Sequence, residues 1–207
     1  MRQAAIQEIY AYWNDLRRSR AAPDRAEIDP AAIRSVLSET FMIEVDGDTP
    51  FQLRLAGARF SALFAEETKG CSFLDLWGED ARNIEAVLWT VMDGACPVVA
   101  GLKAAPAGRA LEDFEMIFLP LRHFGKTHAR ILGAMSASTH PAWMGLLPVE
   151  RLRLHSLRVM SNETAAQEMP VFATRAAPPR QATARGHLTV FEGGRSAAPL
   201  APVSPVR

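Results

Sequence analysis

The chain has 207 residues, 48% of them apolar and 22% charged, with 23 basic side chains against 23 acidic ones. That is room for one ordinary domain with extensions or for two small ones, with a core large enough to fold without disulfides or metals. A formal net charge of zero gives no reason to expect a nucleic acid or a membrane surface as the partner. The charge is uneven, however: residues 150–207 carry eight Arg against four Glu, which leaves the first 149 residues at −4. The two cysteines, Cys71 and Cys96, form no CxxC pair and have no His at ligand spacing, so neither a disulfide framework nor a metal site is expected. No stretch approaches the ~18 consecutive apolar residues of a membrane span, and Met1-Arg2-Gln3 leads into an amphipathic pattern instead of a signal core. These features predict a cytoplasmic protein.

Ile6, Ile9, Tyr10, Trp13 and Leu16 recur at three- and four-residue spacing, which predicts a helix over Gln3–Arg18 with one apolar stripe. A stripe that carries both Tyr and Trp needs a large apolar surface, either the protein's own or that of a second copy. Pro23 ends the segment, and Asp29-Pro30 predicts the start of a short helix to about Leu37. The period then changes. Phe41, Ile43 and Val45 alternate with Met42 and Glu44, Asp46-Gly47-Asp48 supplies a turn, and Phe51, Leu53 and Leu55 alternate with Gln52 and Arg54; this is a β-hairpin. Residues 58–77 are helical but broken, and Glu79–Met92 is a firmer helix with Ile84, Val87, Leu88 and Val91 on one face.

Three strands follow, at Val98–Ala104, Leu111–Leu121 and Thr127–Ser138. The middle one is apolar on both sides, so both faces must be covered. The order predicts an α+β domain: a five-stranded antiparallel sheet with helices inserted between its second and third strands, preceded by the amphipathic helix. The domain is expected to end near residue 155. Residues 156–207, rich in Ala, Pro and Arg, read as a flexible basic tail interrupted by a strand-like island at His187–Gly194.

Several local runs, in this order, resemble a stand-alone bacterial PAS-domain family formerly catalogued as a domain of unknown function. They are Tyr12-Trp13 with Leu16-Arg17, Pro23 with Arg25 and Ile28-Asp29-Pro30, and Phe51 to Gly57. Gly70 with Phe73-Leu74-Asp75-Leu76-Trp77, Phe114-Glu115, Leu119-Pro120-Leu121 and Gly193-Gly194-Arg195 complete the set. The resemblance implies the PAS fold and a sensor or adaptor that signals through a dimer or partner interface without a fused output domain. Such domains bind haem, flavin, small metabolites or nothing, so the fold alone does not assign a ligand.

The chemical signals are sparse. Cys71-Ser72-Phe73-Leu74 is similar to the cysteine segment of flavin-binding light sensors. Gly70 precedes it, though, and the strands from Val98 to Ser138 contain no Asn or Gln to hold a flavin edge. No His lies between Trp77 and Leu121 to ligate haem, and Glu66-Glu67 and Glu112-Asp113 point different ways as sequence neighbours, so they make poor acid–base pairs. The expectation is therefore no catalytic residue, no metal, no cofactor and no enzyme activity. If a small ligand binds, its pocket is expected under the helices, drawn from Leu55, Phe60, Phe64, Trp77, Trp89, Phe118, Leu132 and Met135; a core filled by those same side chains is the competing expectation. The expected partners are a second copy of the chain or a signalling protein, with no membrane and no nucleic acid.

Overall fold

The computed structural model describes residues 1–45, 51–64, 68–123, 126–160, 183–185 and 188–190. Strand β4 (Glu112–His123) shows why the chain is layered as it is. Phe114, Met116 and Phe118 face one side, Ile117, Leu119 and Leu121 face the other, and all six are buried. Alternation along a strand puts an apolar row on each surface, and each row needs a cover. β4 pairs antiparallel with β3 (Val98–Ala104) and β5 (Lys126–Ala137), β5 pairs with β1 (Thr40–Glu44), and β1 with β2 (Gln52–Ala56). A sixth strand, β6 (Arg153–Val159), adds to the free side of β3, giving the order β2-β1-β5-β4-β3-β6.

The inner face is covered by the segment between β2 and β3. It consists of α2 (Ala58–Ala62), 3-10 turns at Phe73–Leu76 and Gly78–Asp80, and α3 (Ala81–Gly94). α3 buries Ile84, Val87, Leu88, Val91 and Met92, one stripe at helical spacing. The outer face is covered by α1 (Ala4–Arg17), whose Ile6, Ile9 and Trp13 have no exposed surface. Trp13 Nε1 donates to the Pro120 carbonyl at 2.9 Å, so the indole is satisfied as well as buried. Gln3, at the N-cap, offers no capping side chain. Glu115, facing outward from β4, instead accepts from the N–H groups of Arg2 and Gln3 at 2.7 and 2.9 Å, placing a carboxylate where helix N–H groups lack partners. Residues 22–36 complete the outer layer with Ala22, Ile28, Ile33 and Val36.

Two expectations need correction. The helix expected over Asp29–Leu37 is a series of tight turns followed by a 3-10 turn at Leu37–Glu39. Ala32, Val36 and Glu39 each donate to the carbonyl three residues back. The three-residue spacing of Ile33 and Val36 satisfies that geometry as well as it does a helix. The five-stranded sheet has six strands, and β6 runs across the domain boundary expected at residue 155. Its apolar residues Leu154, Leu157 and Val159 lose strict alternation at a register shift opposite Gly101 and Leu102, so the strand reads as a basic run in the sequence. Between β5 and β6 the chain crosses the helical layer as a strap. Gly145, Val149 and Leu152 donate backbone N–H groups to Ala62, Leu63 and Leu76, and Val149 and Leu152 are buried in the inner core.

Residues 1–167 form one unit and 168–207 a second. In the second, β7 (Thr183–Arg185) and β8 (Leu188–Val190) pair antiparallel, the latter within the strand-like island. The rest of the expected flexible tail lies outside the described residues. Among the described residues no helix is long and apolar enough to cross a membrane.

Because Trp13 is closed in by the chain's own sheet, Trp13→Ala is expected to cost about 3–5 kcal/mol in urea unfolding. Sedimentation velocity checks where the loss comes from: the mass of the folded fraction should equal that of the wild type.

Candidate functional site

The inner face is where the expected pocket would lie, and its chemistry is aromatic. Phe41 from β1 sits at its centre, with ring centroids 4.8 Å from Phe60, 5.3 Å from Phe73 and 6.2 Å from Phe118. Its ring lies directly on Gly133 of β5, where an added Cβ would come within 2.2–2.8 Å of the Phe41 ring carbons Cζ, Cε2 and Cε1. Glycine is therefore required at this point for close approach, not for an unusual φ. Phe60, Phe64, Trp77, Phe118 and Met135, all expected in the pocket, are buried in this cluster together with Phe41, Phe51, Phe73 and Ile131. Trp77 Nε1 is buried with no hydrogen-bond partner among the described residues.

Three expected pocket residues lie elsewhere. Leu132 is three positions from Met135 on one strand, so it faces the opposite side and packs in the outer cluster. Leu55 is 49% exposed, because the register shift between Met42 and Ile43 sets it opposite the outward-facing Met42 while Leu53 stays inward. Trp89 follows Leu88 on α3 and turns off the buried stripe; it is 42% exposed, with its ring edge-on to Phe51 at 5.1 Å. Phe41, Phe73 and Gly133 belong to the same inner face, beyond the residues expected there. Phe41 and Phe73 were visible as members of apolar patterns, whereas the sequence carries no sign that Phe41 would rest on a glycine 92 positions away. In α1, Ile6, Ile9 and Trp13 are covered by the sheet, while Tyr10 and Leu16 are half-buried beside them.

A second concavity, an open cleft of about 630 Å³, lies on the outer side of β1 and β2, where the N-terminal layer stops. Met42 and Leu55 are part of its lining, together with Arg25, Glu44, Arg54 and Arg130. Glu44 is buried, and its two oxygens are separately paired with Arg54 and Arg130. A carboxylate held on both oxygens by guanidinium groups is a structural ion cluster, with no free base to offer. The wall of the cleft at Asp24 is set by a capping box. Asp24 accepts from the N–H of Ala26, and Glu27 accepts from the N–H of Asp24. Arg20 grips Glu27 through both oxygens, at 2.8 and 2.9 Å. The Arg20 guanidinium, helped by the Asp24 N–H, holds the Glu27 carboxyl below its ordinary range, and Glu27 in turn raises Arg20. On the same outer face, at the β3–β4 pair, Lys103, 2.9 Å away, holds Asp113 below its ordinary value. Among the described residues no group of three His, Cys, Asp or Glu side chains is placed to hold a metal ion.

A family model described as "PAS domain" matches residues 1–136, from the start of the chain to near the end of β5. The chain belongs to the PAS-domain family. The α+β PAS fold with helices inserted after the second strand agrees with this, and membership places the chain among sensory and signalling modules. No curated protein sequence matches. Two solved structures are similar. A variant of RsLOV is 15% identical, with a TM-score of 0.38 over 53% of this chain and 67% of that one. An RNA-binding light-oxygen-voltage receptor is 16% identical, with a TM-score of 0.41 over 56% of this chain and 36% of that one.

The space under the helices is filled by Phe41 and its ring partners. Cys71 is exposed, on a stretch whose backbone pairs with β2 through the Leu53 N–H and the Cys71 carbonyl, so its thiol does not line the inner face.

Gly133→Ala is expected to destabilise the domain by about 1–3 kcal/mol through overpacking. The same change made in a Phe41→Leu background should cost markedly less, a coupling that a urea double-mutant cycle measures directly. For the cleft wall, the depressed Glu27 carboxyl stabilises the fold above its unfolded value of about 4.3, and that contribution is lost as the pH falls through the folded value. Glu27→Gln should therefore lower the thermal midpoint at pH 7 by about 1–3 °C, as suits an exposed pair. The gap between variant and wild type should close on going below pH 4, which melts across a pH series would record.

Proposed function

We propose that this PAS domain is a non-enzymatic signalling adaptor of the cytoplasm, which acts by docking on partner proteins and carries no resident cofactor. The filled inner face carries this reading. The centre of the region under the helices holds the Phe41 ring, seated on Gly133 and ringed by Phe60, Phe73 and Phe118. Side chains in van der Waals contact at that density leave no room for a cofactor-sized ligand without displacing part of the core. The stripe of α1 is engaged with its own sheet, which favours partner contacts on other surfaces over a dimer built on that helix. Glu44, Arg54 and Arg130 of the outer cleft are paired with one another, which supports a binding role over acid–base catalysis.

A second reading, a small-molecule sensor with an occupied inner pocket, draws support from one atom. Trp77 Nε1 is a buried donor without a partner among the described residues, and a ligand acceptor would satisfy it. Native mass spectrometry and an absorption spectrum of the full chain as purified separate the two. The adaptor reading expects the mass of the 22.7 kDa chain or its multiples and no absorption beyond that of protein. A stoichiometric small molecule, coloured or colourless, would overturn it in favour of the sensor.

A further inference from the structure

The two edges of the sheet are treated differently. The outer edge of β2 is occupied by the chain itself. Leu53 donates to the Cys71 carbonyl at 2.9 Å and accepts from Gly70 at 2.7 Å, and Phe73 donates to Phe51 at 2.9 Å. The outer edge of β6 has no strand beside it among the described residues. Asp80 accepts the Leu154 N–H at 2.9 Å at the start of the strand, and beyond that point every residue from His155 to Val159 is exposed. An unpaired strand edge is a template for another strand, and natural proteins blunt such edges unless they are used.

The two sides of β6 differ in chemistry. Its register with β3 sets Leu157 opposite Ala100 and Val159 opposite Val98, continuing the inner apolar row past the end of the core; they are 46% and 56% exposed. Arg158, opposite Val99, and Arg153, opposite Lys103, fall in the outer row, and neither is ion-paired among the described residues. Basic residues alone would blunt the edge. Leu157 and Val159, left in water beside them, are a cost that blunting does not explain. A second copy of β6 is a poor occupant, because it would bring four arginines onto one narrow strip with no acidic residue in either strand to answer them.

We propose that the His155–Val159 edge of β6 is a strand-addition site for an extended partner segment that alternates acidic and apolar residues. The apolar residues would lie beside Leu157 and Val159 and the acidic ones beside Arg153 and Arg158. Main-chain hydrogen bonds along the open edge supply attachment, and the alternating side chains supply selectivity. This assignment rests on the adaptor reading and names its docking surface.

The test uses the full chain, ¹⁵N-labelled, with two synthetic peptides, acetyl-Glu-Val-Glu-Val-Glu-Val-amide and its counterpart with Lys in place of Glu. The acidic peptide is expected to shift the amide resonances of residues 155–159 in a saturable way, and the basic peptide to leave them in place. Arg153→Glu combined with Arg158→Glu, both at exposed positions, should leave the thermal midpoint unchanged and weaken the acidic peptide by about tenfold or more. Equal binding of both peptides, shifts confined to another surface, or no shift at all would overturn the site. So would a dimer in sedimentation that the double Arg variant changes, or slow amide exchange along residues 155–159 in the peptide-free chain, which would mean that the protein's own tail or second copy holds the edge. Native mass spectrometry keeps this apart from the adaptor reading. Peptide failure with no bound small molecule removes only the β6 site, whereas a stoichiometric small molecule removes the adaptor reading whatever the peptides do.

Discussion

Strand β4 carries bulky apolar side chains on both faces, and a sheet with two apolar faces cannot leave either in water. Burying six such side chains is worth roughly 1.5–3 kcal/mol each relative to exposure, a sum comparable to the whole stability of a domain. The inserted helices cover Phe114, Met116 and Phe118, and α1 covers Ile117, Leu119 and Leu121. The consequences reach the N-terminal segment of the unit. α1 has to stay attached to the sheet, which Glu115 supports by accepting from the N–H groups of Arg2 and Gln3 just ahead of the helix. The chain leaving α1 has to pass along the outer face, which it does by hydrogen bonding between Pro23 and Arg122.

That requirement also shapes where the protein can interact. With α1 and residues 22–36 in place, the outer face is covered over the apolar row of β4 and β5 and open beside β1 and β2, where the Glu44 ion cluster and the 630 Å³ cleft lie. The inner face is closed by a different device. Phe41 occupies the space above Gly133, so a region that could hold a ligand in this fold is held by a side chain from β1. The strap from residue 141 to 152 then ties α2 and the Phe73–Leu76 turn together from outside and hands the chain to β6. Surfaces not used by these covers include the edge of β6, which has no strand beside it among the described residues.

Most of the layered design could be read from residue order. Period-two alternation placed β1 to β5, the i, i+3, i+4 pattern placed α1 and α3, and the double-sided strand required two covers. Local runs such as Phe73 to Trp77 and Phe114-Glu115 pointed to the PAS family, although only the structure shows what Glu115 does. The residues expected under the helices divide between the two faces for a specific reason. Leu132 and Met135 cannot share a face on a regular strand, and that parity was available from the sequence. Leu55 and Trp89 were different: a bulge between Met42 and Ile43 turned one outward, and the exact rotation of α3 on the sheet turned the other.

The sequence by itself determined the element types, their order and the need for cover on both sides of the sheet, because these follow from side-chain periodicity along a local stretch of chain. Tertiary structure alone decided that α1 covers its own sheet, that Phe41 fills the inner space against Gly133, and that β6 extends the sheet beyond five strands. Each of these is a contact between segments far apart in the chain: Trp13 with Pro120, Phe41 with Gly133, Val98 with Val159. Local composition leaves such contacts open, since an apolar stripe calls for a cover without naming it, and a weakly alternating basic strand acquires its pairing only when a neighbouring edge is there to receive it.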